Sequence, residues 1–587
     1  MNYCMAQIKK EFVKIANEIS VENGLEIIFS DSDIMLSPPK IKEHGDLSTN
    51  FAMMNSKKFG MPPVKLAAEI VKRLGSHTDI FSAVTTAGPG FINFTLSDSQ
   101  IYQGLGRILD AQTAWGRGTT KPGRINLEYV SANPTGPMHV GHGRGAAVGD
   151  SIARIMRFAG YDVTCEYYLN DAGKQVENLA ESIKARYLEL VKSEVGNVQT
   201  IEFPEDGYHG AYVIDMAKSF RDIHGNKPAL EGIDMETLKS FAVAEALKGI
   251  KKTLADLDIT FEVFYSEKAL HESGALKKAQ DILAQRGHIY EQDGAVFFRS
   301  SNFGDEKDRV LVKSDGAATY FAADIAYHLD KFNRGYTHLI DLWGADHHGY
   351  IPRMKASIEA FGHERDDLEV LLVQFVSLVK GDEKLAMGKR SGNFVTLDDL
   401  IAETGADVTR WYFVAKSHDV AIDFDLSEAL SQDPRENPAR YAQYGHARAC
   451  SILKKGSSLF GDNLPVVNET VFTHLSCPEE IEISKVLMQF PQVVSDAAES
   501  RSPHKIANFL TEISRMFNSY YTRYKDDPVL PKPTQQVENW EETWDLHKTA
   551  ARLAWIECFK TVTGNALNLL GLNAPEYMVS PEEAGNE

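Results

Sequence analysis

The clearest alternation of apolar and polar positions lies just before a stretch rich in glycine and histidine. Residues 125–130 alternate and carry strand-forming side chains, which predicts a buried strand. Residues 131–137, SANPTGP, predict a turn, because neither a strand nor a helix could contain them. Beyond His142, apolar residues recur at helical spacing: Val148, Ile152, Ile155 and Met156. A strand, a tight turn and a helix N-terminus together form the geometry of a nucleotide phosphate site.

Two other regions flank this pattern. Before it, the periodicity predicts helices over residues 6–23 and 66–74, a strand over 91–96 and a polar linker over 114–124. From about residue 437 the pattern is helical as far as Leu570. We therefore expect an α/β domain at 1–115, a catalytic domain at 116–435 and an all-α domain at 436–587.

The central sheet is predicted to be interrupted. After Gly173 the pattern stays largely helical, which indicates an insertion near 174–290 between two halves of a nucleotide-binding sheet. The sheet is expected to resume with strands at 295–298 and 309–312, to continue at 337–343 and to end on a long apolar strand at 370–379.

Composition excludes several classes of protein. The chain has 587 residues, too many for one core, and its 43% hydrophobic content is typical of a folded globular protein. No apolar run reaches the ~20 residues of a membrane span, and the N-terminus lacks a signal-peptide core, so we expect a cytoplasmic protein. The five cysteines show no CxxC spacing, which favours free thiols over zinc or disulfide frameworks.

The net charge of −20 argues weakly against non-specific nucleic-acid binding, but one segment of the chain is locally basic. Residues 435–455 contain five Lys or Arg and one acid, and Arg440, Tyr444 and Arg448 fall on one helix face. Basic side chains interleaved with aromatic rings suit single-stranded RNA, and residues 517–525 add a second such patch. The alternative is a solvated helix with cation–π pairs.

Two histidines give the predicted phosphate site its chemistry. His139 and His142 stand at the start of the helix, and imidazoles can donate to phosphate oxygens that gain charge in a transition state. The turn lacks the GxxxxGK[ST] pattern of a Walker loop. Chance surface histidines are the alternative, which the complete PxHxGHxRG pattern behind a hydrophobic strand disfavours.

A second cluster predicts a pocket for a cation. Tyr320, Asp324 and His328 lie one helical turn apart and share a face of an otherwise apolar helix. With Glu128 from the strand opposite, the carboxylates could grip a planar guanidinium from two sides, a geometry that a lysine would fit poorly. A tolerated polar stripe at the surface is the alternative.

Residues 344–349, GADHHG, follow the strand predicted at 337–343. Open α/β sheets bind ligands at the carboxyl ends of their strands. A metal site is disfavoured, because the side chains of the neighbours Asp346, His347 and His348 diverge in direction. We therefore expect a ligand contact at this edge and no protein-bound metal.

The stretch SANPTGPMHVGHGRG resembles the HIGH signature of class I aminoacyl-tRNA synthetases, and most closely the bacterial type of arginyl-tRNA synthetases. HGDLSTNFAM and GPGFINF resemble the N-terminal additional domain of that family, WGADHHG its adenine and ribose segment, and LGLNAPEYM its C-terminal ending. The implied fold is α/β: a Rossmann-type class I catalytic domain with a helical insertion, an N-terminal α/β additional domain that contacts the tRNA elbow, and a C-terminal all-α anticodon-binding domain.

The resemblance also implies roles for individual residues. The catalytic residues would be His139, His142 and Lys389. The ATP-binding residues would be Gly141, Gly143, Gly344, Asp346, His348, Met387 and Arg390. The arginine-binding residues would be Glu128, Asn133, Tyr320, Asp324 and His328. The tRNA-binding residues would be Asn50, Arg440, Tyr444 and Arg448, although a turn or capping role is an equal alternative for Asn50.

Residues 384–393 resemble the mobile KMSKR loop of the family, with departures. Ala386 and Gly388 replace the first lysine and the serine of that pattern. Some arginyl enzymes lose the second lysine and carry a substitute three residues before the first histidine. Here that position is Gly136 and Lys389 is retained, so Lys389 is expected to hold the phosphates. An ordinary basic surface turn is the alternative.

The implied activity is the ATP-dependent ligation of L-arginine to tRNA(Arg) through an arginyl-adenylate, with Mg²⁺ bound to ATP. A monomer is expected. Three alternatives stay open: a synthetase for another amino acid, a non-catalytic tRNA-binding paralogue, as Ala386 and Gly388 could suggest, and a small-molecule adenylyltransferase, which would lack the two flanking RNA-type domains.

Overall fold

A computed structural model describes residues 2–39, 41–75, 77, 79–196, 198–381, 383–384, 396–466, 470–536 and 540–579. Three residues of the expected site, Met387, Lys389 and Arg390, lie outside the described residues. Among the described helices, none is both long and apolar enough to cross a membrane.

The amino-terminal region packs helices against a small antiparallel sheet. Its elements are α1 (Asn2–Glu22), β1 (Leu47–Thr49), α2 (Phe51–Asn55), α3 (Pro63–Leu74), β2 (Phe81–Ala87), β3 (Phe91–Leu96) and α4 (Asp98–Ala111). The strand order is β1-β3-β2. The apolar face of α1, with Ile8, Phe12 and Ile19, closes on Phe94 of β3, which confirms the helix and strand predicted here.

The centre of the molecule is a five-stranded sheet in the order β11-β10-β4-β5-β6, and all of its pairs are parallel. Its strands are β4 (Arg124–Glu128), β5 (Asp162–Leu169), β6 (Val263–Ser266), β10 (His338–Gly344) and β11 (Leu368–Val373). The elements between them are α5 (Val140–Phe158), α6 (Lys174–Val195), α7 (Ala211–His224), α8 (Lys227–Glu231), α9 (Met235–Asp256), α10 (Glu267–Glu272), α11 (Ala275–Gln285), β7 (Ile289–Gln292), β8 (Ala295–Phe298), β9 (Arg309–Val312), α12 (Tyr320–Asn333) and α13 (Ile351–Ala360). The predicted strand, turn and helix around the two histidines are confirmed.

The predicted, largely helical insertion near 174–290 is too long, because the four-residue strand β6 within it already belongs to the central sheet. It is an edge strand whose residues are all half-buried, so its sequence shows no clear alternation.

The prediction that the strands at 295–298 and 309–312 continue the central sheet is wrong. They belong to a separate antiparallel sheet in the order β7-β8-β9. Asp293 and Gly294 take φ angles of 52° and 75° in a two-residue hairpin turn between β7 and β8. This Asp-Gly signal was present in the sequence.

The apolar run at 370–379 is two strands rather than one. β11 pairs with β10, whereas β12 (Val376–Lys380) pairs with β13 (Glu383–Lys384) and β14 (Ile422–Asp425) in another sheet. The break is held by Arg144 of α5, whose buried guanidinium donates to the carbonyls of Gln374 and Ser417, both at 2.8 Å. Gln374 lies at this break, but a single polar position within a largely apolar run does not reveal that the strand ends there.

The carboxyl-terminal region is helical. It follows α14 (Leu397–Thr404), α15 (Ala406–Val414) and α16 (Leu426–Leu430), and comprises α17 (Pro438–Phe460), α18 (Pro478–Glu499), α19 (His504–Arg523) and α20 (Leu546–Leu569). Its apolar core is continuous with that of the central sheet. Buried Arg410 of α15 joins the two, because its guanidinium contacts Asp150 of α5 and the Leu570 carbonyl after α20.

The close approach of α5 to the sheet generates a prediction at Gly149. A Cβ atom there would lie 2.3 Å from Cγ of Tyr129, so Gly149→Ala should lower the free energy of unfolding by about 1–3 kcal/mol through overpacking. Gly145 is the matched control in the same helix, because no atom lies within 4 Å of its Cβ position. Gly145→Ala should stabilise by about 0.5–1 kcal/mol in urea unfolding. Equal effects of the two variants would contradict the packing argument.

Candidate active site

The two histidines cap α5 with their own side chains. The backbone N–H of His142 donates to Nδ1 of His139 at 3.3 Å, and the N–H of His139 donates to Nδ1 of His142 at 3.4 Å. The rings stack with centroids 3.5 Å apart. A nitrogen that accepts a hydrogen bond carries no hydrogen, so each neutral ring holds its hydrogen on Nε2. These Nε2–H groups are suited to donate to phosphate oxygens at the positive end of the helix.

The turn between β4 and α5 is held in a strained conformation. Val130 and Ser131 have φ angles of 69° and 41°, which side chains other than glycine rarely adopt. The Ser131 hydroxyl donates to Glu128 at 2.9 Å and accepts from the backbone N–H of Tyr168 at 3.1 Å. From the helical insertion, the Tyr212 hydroxyl donates to the Thr135 carbonyl at 2.8 Å. The insertion therefore fixes the turn that leads to the histidines.

A cleft of about 390 Å³ opens at the carboxyl ends of β4, β5 and β10. Four of the five residues predicted to bind arginine line it, together with Gly344 and several residues that the sequence analysis did not single out; the four are Glu128, Tyr320, Asp324 and His328. The fifth, Asn133, is exposed and is not among the described residues that line the cleft.

The residues expected to bind ATP are only partly gathered at this edge. Gly141 is exposed at the start of α5, but Gly143 is buried, and a Cβ there would lie 2.6 Å from Leu397. Because Gly143 has no side chain, Leu397 can pack closely against the helix at this point. Asp346 and His348 are exposed on a short 3₁₀ turn after β10, and within the described chain they do not line the cleft.

Three carboxylates form a row across the floor of the site. Asp341 of β10 stands opposite Glu128 of β4, which stands opposite Glu166 of β5 in the sheet register. Like charges on neighbouring strands repel, and all three groups are largely removed from water. The row therefore needs cations from the helix that covers it.

Helix α12 supplies those cations. The Lys331 ammonium donates to Glu128 at 2.6 Å and to Asp341 at 3.0 Å, and the Arg334 guanidinium binds Glu166 through two bonds of 2.6 and 2.8 Å. Burial lowers the pKa of Lys331, but the charges of Asp341 and Glu128 raise it more, so the ammonium stays charged.

Asp324 is the one carboxylate of the cleft without a cation bonded to it among the described contacts. Its Oδ2 accepts a hydrogen bond of 2.5 Å from the Tyr350 hydroxyl. Burial raises the pKa of Asp324, and the Tyr350 bond lowers it only in part. An incoming guanidinium would supply the missing positive charge.

Sequence analysis missed Lys331, Asp341 and Tyr350. A signal existed for two of them. Asp341 is a lone acid within a buried strand, and Lys331 lies two helical turns after Asp324, on the face that the analysis had identified. Tyr350 carries no local signal, because its contact with Asp324 spans 26 residues.

After the loop expected to carry Lys389, the described chain resumes beside the site. Lys384 ends β13, and Thr396 forms an isolated β-bridge with His139. The Leu397 N–H donates to the Met138 carbonyl at 2.9 Å. The chain therefore returns to the histidine turn directly after this loop.

The predicted RNA surface is only partly a free surface. Arg448 donates to Asn518 at 2.6 Å and lies against the rings of Tyr444 and Tyr521, while Tyr444 is buried. These are the cation–π pairs of the alternative interpretation. Burial lowers the pKa of Arg440, which the charge of Asp407 partly opposes. In the second patch, Phe517 and Tyr520 are buried in the core, so the prediction of stacking rings is wrong for these two residues.

Asn50 occupies the N-cap position of α2, although its side chain makes no capping bond. Its carbonyl accepts from the N–H groups of Met53 and Met54. The turn position is thus established, and a role in tRNA binding stays a prediction. Over the described ranges, no group of three His, Cys, Asp or Glu side chains is placed to hold a metal ion.

The row of carboxylates generates a prediction at Lys331. Lys331→Met leaves Glu128 and Asp341 buried beside each other without their shared cation, so it should lower the free energy of unfolding by about 3–5 kcal/mol. Lys355→Met is the control. The Lys355 ammonium lies 3.2 Å from Oδ1 of Asp366, whose side chain is 95% exposed to solvent. That change should cost less than about 1 kcal/mol in the same urea titration. A similar loss in both variants would show that the buried row does not need its ammonium.

Comparison with known proteins covers most of the chain. Family models match three segments: "Arginyl tRNA synthetase N terminal domain" residues 6–96, "tRNA synthetases class I (R), catalytic domain" residues 105–420, and "DALR anticodon binding domain" residues 442–578. These matches confirm the expected fold class.

Individual relatives agree with the family models. The chain is 42% identical to an arginine–tRNA ligase of Anoxybacillus flavithermus, over 97% of this chain and 99% of that protein. It is 41% identical to that of Bacillus subtilis, over 98% and 99%. It shares its fold with the solved arginyl-tRNA synthetase of Thermus thermophilus, with a TM-score of 0.71 and 21% identity over 98% of this chain and 100% of that one. The chain therefore belongs to the arginyl-tRNA synthetase family of class I tRNA synthetases.

Proposed function

We propose that this protein is an arginine–tRNA ligase whose site lies at the carboxyl edge of the central sheet. The observation that carries the proposal is a cleft whose buried carboxylate, Asp324, has no cation bonded to it among the described residues, in a sheet whose strand β4 is joined by a turn to the histidine-capped N-terminus of α5. The first feature suits a guanidinium and the second suits a phosphate.

In the first step, an oxygen of the arginine carboxylate attacks the α-phosphorus of ATP. A new phosphorus–oxygen bond forms as the bond to the bridging oxygen breaks, and pyrophosphate leaves with the electron pair. The Nε2–H groups of His139 and His142 donate to phosphate oxygens as they gain charge, and the dipole of α5 adds to their effect. Lys389 contacts the departing pyrophosphate, and Mg²⁺ enters as part of the ATP substrate.

In the second step, the terminal ribose hydroxyl of tRNA(Arg) attacks the carbonyl carbon of the adenylate, and AMP leaves. No covalent bond to the protein forms, so the protein contributes positioning and charge. Asn133 holds the amino or carboxylate group of the substrate. The remaining ATP contacts are assigned to the following residues: Gly141, Gly143, Gly344, Asp346, His348, Met387 and Arg390.

The RNA contacts lie on both flanking domains. We place Arg440, Tyr444 and Arg448 of α17 in the anticodon-binding surface and Asn50 at the tRNA elbow. The domains span 1–115, 116–435 and 436–587, a division supported by family-model matches at 6–96, 105–420 and 442–578. The protein acts as a cytoplasmic monomer.

Specificity follows from charge. A neutral isostere such as citrulline would leave the buried Asp324 carboxylate without a cation, and a lysine could not present a planar fork to Glu128 and Asp324. Competing amino acids should therefore bind much more weakly than arginine, so no separate editing site is required.

The decisive measurement is ATP–pyrophosphate exchange with each amino acid, citrulline included, with and without tRNA(Arg). Exchange with arginine alone, dependent on added tRNA, is the expected result. Exchange with another amino acid would assign the protein to a different specificity. Tight tRNA binding without exchange would establish a binding paralogue in which Ala386 and Gly388 have cost catalysis.

Asp324→Asn should weaken the binding of arginine and at the same time stabilise the fold. Loss of the charge should raise the KM for arginine more than about 30-fold, with little change in the KM for ATP. Because burial raises the pKa of Asp324, keeping it ionised at neutral pH opposes folding, so the neutral variant should melt at a higher temperature.

Asp330→Asn is the matched control, because Asp330 lies on the same helix but pairs with Arg334 at 2.9 Å, with about a third of its side chain exposed. It should leave the KM for arginine unchanged. In the unmodified enzyme, kcat/KM for arginine should fall as the pH drops through the raised pKa of Asp324. An unchanged arginine KM in Asp324→Asn would remove this residue from the site.

A further inference from the structure

His328 is buried between two hydrogen-bond acceptors. It is 4% exposed and lies on α12 against β10. Its Nδ1 is 2.8 Å from the backbone carbonyl oxygen of Asp324, and its Nε2 is 2.7 Å from Oδ2 of Asp341. Both ring nitrogens are therefore engaged by the protein itself.

The chemistry of these partners fixes the hydrogens on the ring. A carbonyl oxygen can only accept, so Nδ1 must carry a hydrogen. The carboxylate of Asp341 also accepts from the Lys331 ammonium at 3.0 Å. Burial raises the pKa of Asp341, but the charges of Lys331 and His328 lower this pKa by more than burial raises it. Asp341 is therefore ionised. An ionised carboxylate can only accept, and Nε2 must carry a hydrogen as well.

We propose that His328 is a permanent buried imidazolium that sets the net charge of the arginine site. Glu128, Asp324 and Asp341 contribute three negative charges, and Lys331 and His328 contribute two positive charges. Glu166 and Arg334 neutralise each other. These side chains together carry one net negative charge, and a single guanidinium neutralises it. The identity of that cation rests on the proposed function.

Charged and titratable groups face His328 from three elements. Asp324, Tyr327 and Lys331 face it along α12, Asp341 from β10, and Glu128 from β4. Burial and the charge of Lys331 lower the pKa of His328, but the charges of Asp341 and Glu128 and the hydrogen bond of Asp341 raise it more. On α10, Glu267 interacts with Asp324, and burial raises the pKa of Glu267.

His328 therefore acts on arginine through charge rather than through a hydrogen bond. It lines the cleft, but neither ring nitrogen is left for a ligand. Its positive charge is one of the factors that lower the pKa of Asp324, which burial raises. Without this charge, Asp324 would hold a proton at a higher pH, and arginine would have to compete with that proton. His328 is thus a positioning residue for charge.

A pair of variants tests the charge. In His328→Gln, the acid limb of the pH profile of kcat/KM for arginine should move up by about one to two pH units, while the KM for ATP stays unchanged. His328→Gln combined with Asp341→Asn removes one positive and one negative charge, so the limb should return toward its original position. A limb that does not move in the single variant, or a second variant that only adds to the defect, would overturn the proposal.

The protonation state is measured directly on the unmodified, full-length protein without ligand. With ¹⁵N-labelled histidine, the His328 ring should show two protonated nitrogens in NMR spectra across the neutral pH range. One unprotonated ring nitrogen would refute the imidazolium, even if the variants do not fold. This measurement needs no arginine, so a protein that fails to activate arginine but shows the imidazolium would refute the proposed function and leave the charge assignment standing.

Discussion

The site depends on the neutralisation of a row of carboxylates that the parallel sheet places side by side. Asp341, Glu128 and Glu166 share one register across β10, β4 and β5, and no strand of that sheet offers a counter-charge to them. Helix α12 supplies Lys331 and Arg334, so one buried ion network fixes the distance, rotation and register of the helix on the sheet. The same docking places Asp324 two turns before Lys331, where no described cation is bonded to its carboxylate. The site proposed for a substrate cation is thus a product of the fold.

Helix α5 combines two tasks that oppose each other. In the proposed function its first turn presents hydrogen-bond donors to an anion, whereas its later turns must pack tightly enough to hold that turn still. The histidines serve the first task by capping the helix, and Arg144 and Gly149 serve the second by binding the carbonyls at the β11–β12 break and by admitting Tyr129. The strain at Val130 is tolerated because contacts from the sheet and the insertion surround the turn.

Much of the fold was predictable where a local pattern determines structure. The strand, turn and helix around the histidines, the face of α12 and the helical carboxyl-terminal region followed from periodicity. The errors have physical causes. Strand β6 is short and half-buried at every position, so it does not alternate. The break at Gln374 is held by an arginine 230 residues away, and Phe517 and Tyr520 are buried by packing that a charge pattern does not reveal. Tyr350 was missed for the same reason, since only the folded chain brings it to Asp324.

The contact of Arg410 with the Leu570 carbonyl has a consequence for how the protein is made. Ser151 of α5 donates to that same carbonyl, and α20 packs into the core that α5 shares. On the ribosome, α5 is synthesised roughly 400 residues before the surface around Leu570 that completes its burial. The catalytic region therefore stays incompletely packed until α20 has been made. A chain that stops before α20 exposes this unfinished apolar surface.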